Sequence, residues 1–208
     1  MTKRFSTFLL CLGLGICINT HAQSQSFLIL GDIHYDLLEN HDMEWLQKKP
    51  DDLRQVTTEY TQFTKKNWPA FSKQLRNRVK TYKPEIKAIL QLGDISEGLA
   101  GSEQKAEQMA QSVVKAVDAV AMSIPWIITK GNHDITGPGA QEAFIKYYIP
   151  MFQKQLDRTD IASANYAHQI GENLFVCFDP WEKKIDVLEL LEKNLKSSNA
   201  KYKFVMLH

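Results

Sequence analysis

Five short apolar runs punctuate the chain, at residues 26–33, 86–95, 125–134, 173–180 and 201–208. Between them lie longer stretches in which apolar residues recur at helical spacing, and these predict helices over 53–82, 103–122, 141–148 and 183–197. Pro69 should interrupt the first of them, because proline cannot serve a helix interior. Alternation of this kind is that of a layered α/β domain. Residues 164–178 alternate apolar and polar positions around Gly171-Glu172-Asn173, which predicts a hairpin and therefore mixed sheets. Residues 36–52, with Trp45 and Pro50, form an unusual connection that could serve as a wall or lid of a site.

The start of the chain reads differently. Lys3 and Arg4 precede an apolar run from Phe8 to Ile18 and a small-residue site at Thr20-His21-Ala22, so residues 1–22 are expected to be a secretory signal peptide. The run falls short of the ~20 apolar residues a bilayer span needs. The expectation is a secreted or periplasmic protein whose single domain begins at residue 23. Cys11 and Cys17 fall in the leader, so Cys177 stands alone and no internal disulfide can form in the remainder. The whole chain carries 25 basic and 24 acidic residues, and the leader removes only Lys3 and Arg4. A balance this even gives no basic field for nucleic acid, and no later segment is apolar for long enough to span a membrane.

Four of the five apolar runs end in polar residues that can bind metal: Asp32 and His34, Asp94, then Asn132, His133 and Asp134, and finally His208. Loops that follow the strands of an α/β sheet converge on one crevice. If the first strand runs through residue 34, its period of two turns Asp32 and His34 to one side and Ile33 into the core. His41, in the 36–52 connection, and His168, in the hairpin, are expected to be structural or solvent-facing, and Asp36 either supports the site or shapes a turn.

The ordered motifs GDIH, GDISEG, GNHD and FVMLH resemble those of the calcineurin-like metallophosphoesterase family, which run D-x-H, G-D, G-N-H-D/E, H and G-H-x-H. The resemblance implies an α/β fold, a layered metallophosphoesterase-type sandwich with mixed β-sheets, and two divalent metal ions (Mn, Fe or Zn). By matched position, Asp32 and His34 would bind one metal, Asp94 would bridge, and Asn132 and His208 would bind the other. His133 would act on the leaving group with Asp134 orienting it. The implied reaction is hydrolysis of a phosphate ester, monoester or diester, on a small-molecule or lipid substrate. Hard oxygen mixed with imidazole suits these metals, and two such cations lower the pKa of a shared water and clamp an in-line displacement. The sequence departs from the family at two points. The final G-H-x-H is absent, since the chain stops at His208, which leads to the expectation of an incomplete domain. Glu97 stands where purple acid phosphatases, a branch of the family, have a metal-binding tyrosine. The missing histidines motivate an alternative, a secreted metal- or ligand-binding protein without turnover.

Overall fold

The computed structural model describes residues 24–183 and 186–208. The expected leader at residues 1–22 lies outside the described residues. Strands β1 (Ser26–Leu30), β2 (Ile86–Gln91) and β3 (Trp126–Ile128) form one parallel sheet in the order β1-β2-β3. Strands β4 (Tyr166–Ile170), β5 (Asn173–Cys177) and β6 (Tyr202–Met206) form the second, with β4 antiparallel and β6 parallel to β5. The predicted hairpin is thus β4–β5, and the mixed sheet follows from it.

Helices surround the sheets. They are α1 (Met43–Leu46), α2 (Pro50–Gln55), α3 (Thr61–Thr81), α4 (Glu103–Val120), α5 (Ala140–Ala143), α6 (Ile149–Leu156) and α7 (Val187–Ser197). Helix α4 buries Ala106, Met109, Ala110, Val113, Val117 and Val120, the stripe its spacing predicts. Ile89, Ile127 and Ile128 of the first sheet share one core with Phe175, Cys177 and Met206 of the second. Two contacts fasten the sheets: Phe27 meets Phe175 edge-on at 4.8 Å, and the Tyr166 hydroxyl accepts from the Ile128 N–H and donates to its carbonyl, both at 2.9 Å.

Several boundaries differ from expectation. Helix α3 runs straight through Pro69, which is exposed, so the carbonyl that proline leaves unserved can face water. The irregularity comes earlier, as a wide π turn at Val56–Tyr60 joining α2 to α3. A second π turn, Phe144–Tyr148, carries the expected 141–148 helix on into α6, opening just before Pro150, a residue with no N–H to give. The strands end sooner than the apolar runs: β1 stops at Leu30, and Asp32 and His34 adopt left-handed backbone with φ 43° and 45°. Strand alternation therefore does not pair these two side chains; a loop does. The 36–52 connection is packed through residue 46, with Asp36, Asn40, His41 and Leu46 buried and the Asp42 N–H donating to the Ala100 carbonyl at 2.7 Å, while residues 47–51 are exposed. Among the described residues, no helix is long and apolar enough to cross a membrane.

Candidate metal centre

The pairing of β1 with β2 continues past the strands. Leu92 N–H donates to the Leu30 carbonyl, His34 N–H to the Asp94 carbonyl and Tyr35 N–H to the Ile95 carbonyl, at 2.8, 2.9 and 2.8 Å. These bonds lay the first two motif loops side by side. Gln91, fully buried, folds its amide onto Gly93, accepting from its N–H at 2.7 Å and donating to its carbonyl at 2.9 Å. Asp94 then sits at φ 50°, a third left-handed position among the motif acids and histidines. Such positions cost of order 1–3 kcal/mol each and persist only where the surroundings hold them; Asp and His are among the residues that tolerate them best.

Two motif glycines are explained by close approach. A Cβ on Gly131 would lie 2.1 Å from Asp94 Oδ1, and one on Gly93 would lie 2.8 Å from the His208 ring. The third and last motif loops therefore close directly onto the second, and only a hydrogen leaves room for them.

Asp94 is the centre of the arrangement. It is buried, its Oδ1 accepts from the His133 N–H at 2.8 Å, and its Oδ2 lies 3.0 Å from His208 Nε2 and 3.9 Å from His34 Nε2. Two sets of potential metal-binding atoms, each within 4.8 Å of one another, share it: His34, Asp94 and His133, and Asp32, Asp94 and His208. The imidazoles are prepared from behind. His34 Nδ1 faces Glu97 Oε2 at 2.7 Å and His208 Nδ1 faces the Leu92 carbonyl at 2.8 Å. With Nδ1–H donating in each, both rings turn an Nε2 lone pair toward Asp94.

His133 directs Nδ1 to the Glu97 carbonyl at 2.8 Å and lies 3.5 Å from Glu97 Oε1. Hydrogen bonding to Glu97 raises this imidazole to about 9 against the opposing effect of burial. Burial pushes the Glu97 carboxyl up, but the two imidazoles outweigh it and hold the group below its usual value. Asn132 lies between Gly131 and His133, exposed, with its carbonyl accepting from the Ile135 N–H and the Thr136 hydroxyl. Asp134 is placed elsewhere than at the His133 ring. Its carboxylate accepts from the Ser96 N–H and hydroxyl at 2.9 and 3.0 Å and from the Gly131 N–H at 2.9 Å, and burial raises it to about 6. It fastens the second motif loop to the third, while Glu97 holds the imidazoles.

Glu97 and Tyr60 are the site residues that sequence reasoning did not assign. Glu97 was marked by its place three residues after Asp94. Tyr60, whose ring stacks on His34 with centroids 4.7 Å apart, sits in a helical stretch and carried no signal. His41 is buried, its Nε2 2.7 Å from Asp36 Oδ1, and it ties the 36–52 connection to Leu99. His168 lies on β4, away from the cluster.

The donors suit a metal by type: carboxylate oxygens and imidazole nitrogens around a shared acid, with no thiolate among them, are chemistry that fits Mn, Fe or Zn. Among solved structures, a purple acid phosphatase from yellow lupin (Lupinus luteus) seeds has a similar fold, with a TM-score of 0.51 at 15% identity over 89% of this chain and 31% of the phosphatase chain. The chain spans about a third of that neighbour's length. No curated protein matches the sequence. The calcineurin-like phosphoesterase profile matches residues 26–208, and the chain belongs to that family.

Proposed function

We propose that this chain is an exported hydrolase of phosphate esters that works with two divalent cations. The observation that carries the reading is the sharing of Asp94 between two ligand sets. A carboxylate between two cations offsets part of their mutual repulsion, which a neutral ligand cannot do. By motif position Asp32 and His34 would hold one cation and Asn132 and His208 the other, with Asp94 common to both, whereas the side chains group Asp32 with His208 and His34 with His133 about that acid. Bound there, divalent cations supply Lewis acidity at the phosphoryl oxygens and lower the pKa of water.

The chain's own groups supply the rest. His133 is held at Nδ1 by Glu97, which leaves Nε2 free to donate a proton to the leaving oxygen. Help of this kind from a positioned histidine is typically worth ~10²–10⁴ in rate. Glu97 keeps the proton of His34 on Nδ1, so that Nε2 stays a ligand. The substrate class is a small-molecule or lipid phosphate ester, and support for export comes from the leader-like residues 1–22.

The test is release of nitrophenol from an aryl phosphate monoester and diester by protein loaded with Mn²⁺ or Zn²⁺. Metal-dependent release that Asp94→Asn abolishes is the expected result. Full activity in Asp94→Asn contradicts the site, and two tightly held metals without release would favour a binding protein.

A further inference from the structure

Tyr60 has no part in the chemistry so far. It ends the π turn Val56–Tyr60, and its ring stacks on His34 at 4.7 Å with 28° between the planes. His34 is thereby fixed on three sides, since Glu97 holds Nδ1 and the His133 ring meets it edge-on at 4.8 Å. Stacking needs only a ring, and phenylalanine would provide it. The phenol also carries a hydroxyl that has no hydrogen-bond partner among the described residues, on a side chain left half-exposed.

The π turn puts Tyr60 there. One extra residue in a turn rotates the following helix by about 100° relative to an unbroken α-helix. The carbonyls that the wide turn disturbs are served locally. The Thr61 hydroxyl donates to the Val56 carbonyl at 2.8 Å, and those of Thr57 and Thr58 to Leu53 and Arg54 at 2.6 and 2.7 Å. One turn further on, the Thr64 hydroxyl accepts from the Asp36 N–H at 2.9 Å, pinning α3 to the loop that carries His34. The turn is therefore anchored on both sides of Tyr60.

On the phosphate-ester reading above, we propose that the Tyr60 hydroxyl binds substrate, donating a hydrogen bond to a non-bridging oxygen of the phosphoryl group held beside His34. A neutral phenol suits this place, because it donates without adding positive charge to a site meant for cations.

The test is calorimetric titration of inorganic phosphate into the Mn²⁺-loaded chain, wild type and Tyr60→Phe, with Mn²⁺ affinity and thermal unfolding measured alongside. Tyr60→Phe keeps the ring, so Mn²⁺ affinity and unfolding temperature should stay unchanged while phosphate binds about tenfold more weakly, the scale of one hydrogen bond to a charged acceptor. Equal phosphate affinity in the two proteins overturns the inference and leaves the metal centre standing. Weaker Mn²⁺ binding by Tyr60→Phe also overturns it, because the hydroxyl would then act through His34. If loaded wild type binds no phosphate, the hydrolase reading falls and takes the inference with it.

Discussion

Glu97 is fully buried and stands behind both His34 and His133, so one carboxylate governs two imidazoles. Replacing it with glutamine keeps the shape and removes the charge. Loss of such an outer partner typically costs ~10–100-fold in metal affinity, and a competition titration against a chromophoric chelator should show a loss of that size in Glu97→Gln. Unchanged affinity would show that the charge does not matter to the ligands. The same residue predicts a pH effect in metal-free protein. His133 is raised in the folded state from 6.5 to about 9, so its contribution to stability is complete below pH 6.5 and disappears as pH rises through 9. Unfolding temperature should fall over that interval, and Glu97→Gln should flatten the fall. Asp32, Asp94, His133 and His208 were legible as members of motifs. The grip of Glu97 on His34 was not, because it spans 63 residues of sequence.

At the scale of elements, the order of strands and helices could be read from apolar spacing, and the ends of elements could not. β1 reads as apolar through Ile33, yet its pairing stops at Leu30 and the next residues bend to positive φ. Nothing in the residue types forbids a continued strand, since the bend is enforced by contacts with the Asp94 loop. The π turn at Val56–Tyr60 is equally silent, as its threonines fit a regular helix by spacing. The link from α3 to the site rests on Thr64, whose hydroxyl is the partner of the Asp36 N–H. Thr64→Val leaves that N–H without a partner in a buried place, a loss of about 1–3 kcal/mol. Urea unfolding should show it, and stability within a few tenths of wild type would mean that water or another group replaces the hydroxyl.

Across the whole molecule, two sheets meet over one core and send their connecting loops to one end, where Lys130 after β3 pairs with Asp179 after β5 in a buried ion pair. Lys130 also lies near the rings of Phe144 and Trp181, at 5.5 and 6.0 Å. Removing one partner strands the other, so Lys130→Met should cost about 3–5 kcal/mol, while Lys130→Met with Asp179→Leu should recover most of the loss. Equal losses in the single and double variants would contradict the pairing. The layered architecture and the convergence of the motif loops follow from the pattern of apolar runs; this cross-sheet pair does not, because lysine and aspartate read as surface residues wherever they occur. The central claim is that one buried acid, Asp94, serves two cations, and the most direct measurement is metal content per chain after Mn²⁺ loading and desalting, in wild type and Asp94→Asn. Two metals in wild type, with both lost or strongly weakened in the variant, is the predicted result; a single metal in wild type, or a variant that retains both, would contradict it.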